Sequence, residues 1–351
     1  MPSAYIGGAE KIGHTLYNEL RLRKNVDIFY LKSLDSKYTY DFPIQKVAQS
    51  KALFPLLKEL DTIITSNNID TILSVSQKTN LVVGLYSILY RKKHLKLIFR
   101  EPNTKENLEK EYPSLIRRKL LLGLLKLCYS QSKIVIANSV DTAEDLINLN
   151  LCHRKKIRIL PNPVKVQLGI TTRKDYNQKK IRFITIGRLE YQKNIGLAID
   201  ICKELSKSLN IELCIIGSGS EGATLTKKAQ GQTFPIEFIN QMNEGLFEKV
   251  SSYDFLLHTS RWEGYGNVLV EALGCGLPII STCMRGGSKD IIKSYSNAGL
   301  LIQSNSEQEI SKVILGKMGL LHQMKKDIRK SFKKEYDYNQ LLNNYLKIIC
   351  D

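Results

Sequence analysis

The stretch Asp254-Phe-Leu-Leu-His258-Thr-Ser260-Arg-Trp-Glu263-Gly-Tyr-Gly266-Asn267-Val268-Leu-Val-Glu271-Ala-Leu-Gly274-Cys-Gly276-Leu-Pro278-Ile-Ile-Ser281-Thr-Cys-Met-Arg-Gly286-Gly287-Ser-Lys-Asp290 decides how the chain folds. Phe255 to His258 is a short apolar run, Gly264 and Gly266 interrupt it, Asn267 is a suitable N-cap, and Val268 to Leu273 opens a helix. A second apolar run, Leu277 to Ser281, follows Gly274 and Gly276 and leads to the paired glycines Gly286 and Gly287. The unit reads as strand, loop, helix, strand, loop. Parallel strands would bring both loops to one edge of a sheet.

At such an edge open α/β sheets bind ligands, because the loops beyond the strand ends form a crevice and helix N-termini offer unpaired N–H groups to anions. Two carboxylates belong to it. Glu263 lies in the glycine-flanked loop, where a side chain has little packing duty, and Glu271 is expected in the first helical turn. Taken alone, Glu271 reads equally as an acid that favours the helix dipole.

The ordered series Ser260-x-x-Glu263-Gly-Tyr-Gly266-Asn267-Val268-Leu-Val-Glu271-Ala-Leu-x-x-Gly276-x-Pro278-Ile-Ile-Ser281 resembles the EX7E signature of the family-four retaining glycosyltransferases. The resemblance implies the GT-B fold: an α/β protein of two Rossmann-like domains facing a cleft.

Composition bounds the rest. A chain of 351 residues, 43% hydrophobic, has material for two α/β cores. Five histidines without paired spacing and seven cysteines without C-x-x-C argue against a metal site, and no cofactor is expected. The odd cysteine count suits reduced thiols in a cytoplasm, and no run of apolar residues is long enough for a membrane span. The formal charge of +18 is uneven: residues 1–165 carry 27 Lys+Arg against 15 Asp+Glu. Such an excess suits anionic lipid headgroups or phosphorylated substrates; nucleic acid is not expected, since the lysines are scattered and no recognised binding motif occurs.

From the N-terminus, Gly7-Gly8 precedes an amphipathic helix to about Arg23 and a strand at Val26 to Leu31. In the resembling family a Gly-Gly loop follows the first strand and approaches donor phosphates and acceptor, which makes Gly7 and Gly8 candidate nucleotide-sugar contacts. Only Met1 to Ile6 precede them, so the first strand of the N-terminal domain is expected to be short or missing, unless the true start lies upstream. A helix-period pattern covers Gln45 to Asn67, followed by a strand at Asp70 to Val75, a helix at Asn80 to Tyr90 and a strand at Leu95 to Phe99. After that strand stand Arg100 and Glu101, where family members often place a histidine near the transferred sugar; either residue is a substitute substrate contact, or Arg100 is a surface cation. Residues 114–129 form a leucine-rich helix with Arg117, Arg118, Lys119 and Lys126. It reads as a core helix with a solvated basic edge or as an interfacial helix on anionic lipid.

The resemblance divides the chain into a 1–165 acceptor-binding domain, a 166–180 linker, a 181–335 nucleotide-sugar domain and a final 336–351 helix crossing back. The second domain opens on Ile181-Arg-Phe-Ile-Thr-Ile-Gly187-Arg188-Leu-Glu-x-x-Lys193-Asn194, a strand and glycine turn with two cations before a helix at Gly196 to Leu205. It matches the family's G-R-L-x-x-x-K-N pattern, with Arg188 suited to a forked phosphate contact and Lys193 to a point charge. The Gly217-Ser-Gly219-Ser-Glu-Gly222 run fits a nicotinamide fingerprint, but Asn240-Gln241 replace the acid that reading needs, so the loop is assigned to the nucleotide, with Asn240 to Met242 near the base. A basic helical tail is expected over Ile328 to Leu346.

The expected activity is retaining, metal-independent transfer of a hexose or N-acetylhexosamine from a UDP- or GDP-linked donor to a saccharide, most simply a lipid-linked one, in bacterial O-antigen, lipopolysaccharide or capsule synthesis. Glu263, Arg188 and Lys193 carry the catalytic roles. Glu271, Gly187, Gly266, Asn267 and Val268 bind the donor. A cytoplasmic protein is expected, with the inner membrane face as a peripheral surface. Two alternatives stay open: another GT-B enzyme such as a sugar-nucleotide epimerase, and an inactive basic membrane- or partner-binding relative.

Overall fold

The structure, a computed structural model, describes residues 8–23, 30–32, 45–47, 52–166, 180–240, 246–282 and 285–350. It separates into two compact units, Ala9–Pro163 with Asn339–Asp351, and Val164–Tyr338. Met1 to Ile6, Gly7, most of the expected linker, Gln241 and Met242 lie outside the described residues.

The first unit runs α1 (Gly8–Arg23), β1 (Tyr30–Lys32), β2 (Gln45–Val47), α2 (Leu53–Ser66), β3 (Thr71–Ser74), α3 (Gln77–Leu89), β4 (Lys96–Glu101), α4 (Lys105–Glu111), α5 (Leu115–Ser130), β5 (Ile134–Ala137), α6 (Val140–Asn148) and β6 (Ile157–Ile159). Strands β3 to β6 form a parallel sheet in chain order, and β1 pairs with β2 separately, also in parallel. The alternation of strand and helix gives this topology, because each crossover helix covers a face of the sheet, whose central strands β4 and β5 are largely buried. Leu97, Phe99, Val135 and Ala137 of the sheet pack with Leu57, Tyr86, Leu125 and Tyr129.

Three expectations need correction. The helical pattern drawn from Gln45 overran, since residues 45–47 are a strand and the helix begins at Leu53 with Pro55 in its first turn. The pairing with Tyr30–Lys32 that makes β2 a strand is remote in sequence and leaves no periodic trace. Helix α3 starts three residues before Asn80, where Ser76 and Thr79 close a capping box. Arg100 and Glu101 do not follow β4 but end it, and Arg100 is fully buried, so it is no surface cation.

The second unit runs β7 (Ile181–Ile186), α7 (Ile195–Ser206), β8 (Ile211–Ile216), α8 (Gly222–Gln230), β9 (Ile236–Ile239), α9 (Leu246–Ser251), β10 (Phe255–His258), α10 (Asn267–Gly274), β11 (Ile279–Ser281), α11 (Gly287–Ser294), β12 (Gly299–Leu301), α12 (Glu307–Gly316) and α13 (Met318–Glu335). Its six strands are parallel in the order β12-β11-β10-β7-β8-β9. The chain winds one way from β7 to β9 and then returns to the other side of β7, so the topological switch lies between β7 and β10. The loops after those two strands therefore part at the point where such sheets bind ligands.

The expected basic tail is two helices rather than one. Helix α13 ends at Glu335, and α14 (Tyr338–Cys350) packs within the first unit, where Tyr345 donates to the Leu160 carbonyl at 3.0 Å and Lys96 donates to the carbonyls of Ile348 and Ile349. Part of the basic run is also employed. Lys325 donates to the carbonyls of Tyr253 and Gly276, and Arg329 to that of Cys275, which places cations at the C-terminal end of α10. Among the described residues no helix is long and apolar enough to cross a membrane.

Candidate functional site

The loops after β7 and β10 meet in one cluster of hydrogen bonds. Thr259 donates to the carbonyls of Lys193 and Asn194, Arg261 N–H to that of Gln192, and Gln192 Nε2 to that of Trp262. This backbone lacing brings the side chains of Lys193 and Glu263 together from 70 residues apart in sequence.

Glu263 is the centre. Its Oε1 accepts from Lys193 Nζ at 2.5 Å, from Ser260 Oγ at 2.6 Å and from His258 Nε2 at 3.1 Å. The Glu263 oxygen only accepts, so His258 Nε2 carries the proton, and Nδ1 stands 3.0 Å from Ser281 Oγ, a hydroxyl that can donate or accept. No described residue bonds Oε2. Burial pushes the carboxyl upward, but the Lys193 charge and the bond and charge of His258 outweigh it and hold Glu263 well below the ordinary carboxylate range. The group is a fixed anion.

Its loop is pinned by the glycine pair after β11. Glu263 N–H donates to the Arg285 carbonyl and Gly287 N–H to the Gly264 carbonyl. Gly286 has φ +91°, and a Cβ there would stand 1.6 Å from the Glu263 carbonyl oxygen, so only glycine fits.

Helix α10 departs from expectation at its start. Gly266, not Asn267, is the N-cap, with φ +90°, and Asn267 is the first helical residue. Glu271 consequently sits in the second turn, beyond the strongest influence of the helix dipole, and is buried like the whole of α10. The N–H groups around Gly266, Asn267 and Val268 form the helix N-terminus beside Glu263.

Gly187 and Arg188 begin the β7 loop. Gly187 N–H continues the ladder to the Ile216 carbonyl, and the exposed Arg188 guanidinium donates to Gln192 Oε1 at 3.3 Å. No described carboxylate pairs with Arg188, whereas Lys193 is already held by Glu263. The Gly217 run has a packing duty as well: at Gly217, φ +149°, a Cβ would lie 1.8 Å from the Gly187 carbonyl oxygen. Ser220 from the same run donates twice to Glu190, tying the two loops.

The remaining candidates lie elsewhere. Gly8 is the first residue of α1, and Gly7 is outside the described residues. Arg100 lies in the core of the first unit, donating to Asn162 Oδ1 at 2.6 Å and to the Val75 carbonyl. Glu101 accepts from Tyr129 OH, from Asn103 N–H at 2.9 Å and from Gln77 Nε2 at 3.5 Å. Burial, the largest influence, raises its carboxyl to about 7 against those donors and the nearby Arg100 charge. Among the described residues no group of His, Cys, Asp and Glu is placed to hold a metal ion.

Sequence reasoning passed over His258 and Ser281. Their signal was present: a histidine closing an apolar strand two residues before Ser260 and five before Glu263, and a serine closing the next strand. In-register pairing of β10 with β11 sets His258 against Ser281.

Comparison with known proteins agrees with this architecture. Residues 171–330 match the family model described as "Glycosyl transferases group 1", and residues 6–168 match "Glycosyltransferase Family 4". A Campylobacter jejuni protein named N-acetylgalactosamine-N,N'-diacetylbacillosaminyl-diphospho-undecaprenol 4-alpha-N-acetylgalactosaminyltransferase is 24% identical over 87% of this chain and 85% of its own. The crystal structure of Anabaena HepE with UDP and glucose superposes with a TM-score of 0.72 at 17% identity, over 99% of this chain and 97% of that one. That of WaaG, a glycosyltransferase involved in lipopolysaccharide biosynthesis, gives 0.73 at 14% identity over 99% and 97%. These structures share the GT-B fold. Matched by the two family models across nearly its whole length, and sharing that fold, the chain belongs to the family-four glycosyltransferases and is an enzyme of that class.

Proposed function

We propose that the chain transfers a hexose or N-acetylhexosamine from a UDP- or GDP-linked donor to a lipid-linked saccharide, with retention and without a metal, in the synthesis of a bacterial surface polysaccharide. The observation that carries this reading is the Glu263 carboxylate, with Oε1 bound by three protein donors and Oε2 bound by none of the described residues. A carboxylate held so far below its ordinary range neither gives nor takes a proton at neutral pH. It is suited to accept hydrogen bonds from sugar hydroxyls and so to orient the anomeric carbon.

When the bond from that carbon to the donor phosphate breaks, negative charge grows on the diphosphate. Arg188 and the helix N-terminus at Gly266, Asn267 and Val268 stabilise it, with Gly187 allowing close approach. Lys193 spends one N–H on Glu263 and has two more for phosphate, so it couples sugar and leaving group. Glu271 accepts from the ribose. Glu263 is committed to Lys193, Ser260 and His258, and serves as a positioning group rather than as a covalent nucleophile. Gly7 and Gly8 are donor contacts, and the first unit, with Arg100 and Glu101 as its candidate residues, takes the acceptor. Arg100 and Glu101 do so indirectly, since both are buried.

The donor class is supported by the UDP and glucose bound to HepE, and the acceptor class by the diphospho-undecaprenol in the name of the Campylobacter relative. Such an acceptor would place the enzyme at the inner face of the cytoplasmic membrane. The test is metal-free calorimetry with a panel of UDP-, GDP- and ADP-sugars. Micromolar binding of one nucleotide class, lost in Arg188→Ala and Glu271→Ala, supports the reading; a folded protein that binds none of them overturns it.

A further inference from the structure

The donors that meet on Glu263 Oε1 differ in how firmly each is anchored. Ser260 belongs to the same loop as Glu263, so it moves with the group it binds. Lys193 reaches across from the β7 loop on a flexible stem, and in the proposed reaction it also serves the donor phosphate. His258 alone of the three ends a strand. That strand, β10, lies between β7 and β11 in the sheet, and the His258 carbonyl accepts from Thr282 N–H at 3.0 Å.

The buried His258 ring is held at both nitrogens, by Glu263 at 3.1 Å and by Ser281 at 3.0 Å. Ser281 is fully buried and closes β11, directly opposite His258 in the register of the two strands. Its hydroxyl can turn. It donates to Nδ1 of a neutral imidazole and accepts from Nδ1–H of a charged one, so either form keeps both bonds while no heavy atom moves. The strand ends of β10 and β11 thus reach the carboxylate through one stiff ring.

We propose that His258, set by Ser281, is a positioning residue for Glu263: the pair fixes the plane of the carboxylate against the sheet, and with it the direction in which Glu263 receives the sugar hydroxyls of the donor. This deepens the proposed reaction and rests on its assignment of Glu263 to the sugar. His258 acts through Glu263 alone. The pair therefore governs recognition of the sugar and not of the nucleotide, which Arg188, Glu271 and the N-terminus of α10 hold.

The test compares calorimetric titrations of free UDP and GDP with those of UDP-glucose, UDP-N-acetylglucosamine and GDP-mannose. His258→Gln places an amide N–H near the position of Nε2 and keeps a donor for Glu263, whereas His258→Asn places its amide near Nδ1 and keeps only a partner for Ser281. His258→Asn should weaken the nucleotide sugar about tenfold more than the free nucleotide, the size of a lost hydrogen bond to a charged group. His258→Gln should recover most of that loss, and Ser281→Ala should show the same selective effect at about fivefold. Unchanged unfolding by Trp262 fluorescence checks that each variant keeps its fold. A packing role would make the glutamine and asparagine variants alike, or weaken nucleotide and nucleotide sugar together, and either result overturns the proposal. So does a Ser281→Ala variant without selective effect. A second measurement needs no ligand: with the histidine ring nitrogens isotopically labelled, the magnetic resonance signal that His258→Gln removes should show Nε2 protonated and should shift in Glu263→Gln. An unprotonated Nε2 overturns the proposal. The two failures are distinct: a folded chain that binds no nucleotide sugar overturns the transferase assignment and the sugar role with it, whereas donor binding that the variants weaken without selectivity overturns the role of His258 alone.

Discussion

Replacing Lys193 by methionine keeps most of the aliphatic stem and removes the charge that Glu263 faces in a nearly dry site. The two side chains are 16% and 7% exposed. Removing one member of a buried ion pair costs about 3–5 kcal/mol, because the other charge is left uncompensated. Here Ser260 and His258 still donate to Oε1, so the expectation is the lower end, about 3 kcal/mol. The assay is urea unfolding followed by fluorescence of Trp262, the chain's single tryptophan, buried next to Glu263 and confined to the second unit. The signal therefore reports that unit alone, which avoids treating a two-unit protein as one transition. Adding Glu263→Gln removes the stranded charge, so the double variant should be more stable than the two single losses sum to, by about 2 kcal/mol.

The pH dependence has a definite sign. In the wild type Glu263 is depressed in the folded state, so its contribution is fully present above the unfolded value of about 4.3 and is lost only as pH falls through the far lower folded value. Without Lys193 the downward pull on Glu263 is smaller, so the variant's stability should fall less steeply than that of the wild type as pH drops below the unfolded value. A Lys193→Met loss below about 1 kcal/mol, or strict additivity in the double variant, would refute the reasoning.

Glu101 gives the opposite case. Its carboxyl is raised to about 7, so its favourable contribution is complete below the unfolded value and is lost as pH rises through about 7. The first unit should therefore be less stable at pH 8 than at pH 5 by at most about 3 kcal/mol, and Glu101→Gln should flatten the slope in thermal melts monitored by circular dichroism. Gly286→Ala forces a Cβ to 1.6 Å from the Glu263 carbonyl oxygen, so donor binding measured by calorimetry should fall sharply while the first unit's melting is unchanged. Tyr336→Phe strands the N–H and C=O of the buried Val164, both of which the phenol bonds, and should cost the second unit about 1–3 kcal/mol in the Trp262 unfolding assay.

Much of the second unit was legible because its signals are local. The apolar run that became β10 coincides with the strand, since a strand buried on both faces must be apolar throughout. The glycines after β7, β8 and β11 marked turns that the backbone needs. Boundaries failed where the deciding contact was distant: β2 is a strand only because β1 lies beside it, and the tail breaks after Glu335 because α14 packs in the first unit.

By itself the sequence determined the class of the protein: two alternating α/β units, a glutamate loop and a cationic loop each following a strand, and the membership that its ordered motif implies. Those are properties of spacing, and spacing survives in one dimension. Only the tertiary structure decided what the residues do to one another. It placed Lys193, Ser260 and His258 on one oxygen of Glu263, buried Arg100 and turned the leucines of α5 to both faces. Hydrogen bonds, desolvation and charge act across a few ångströms of space, and chain folding alone brings residues 70 positions apart within that reach.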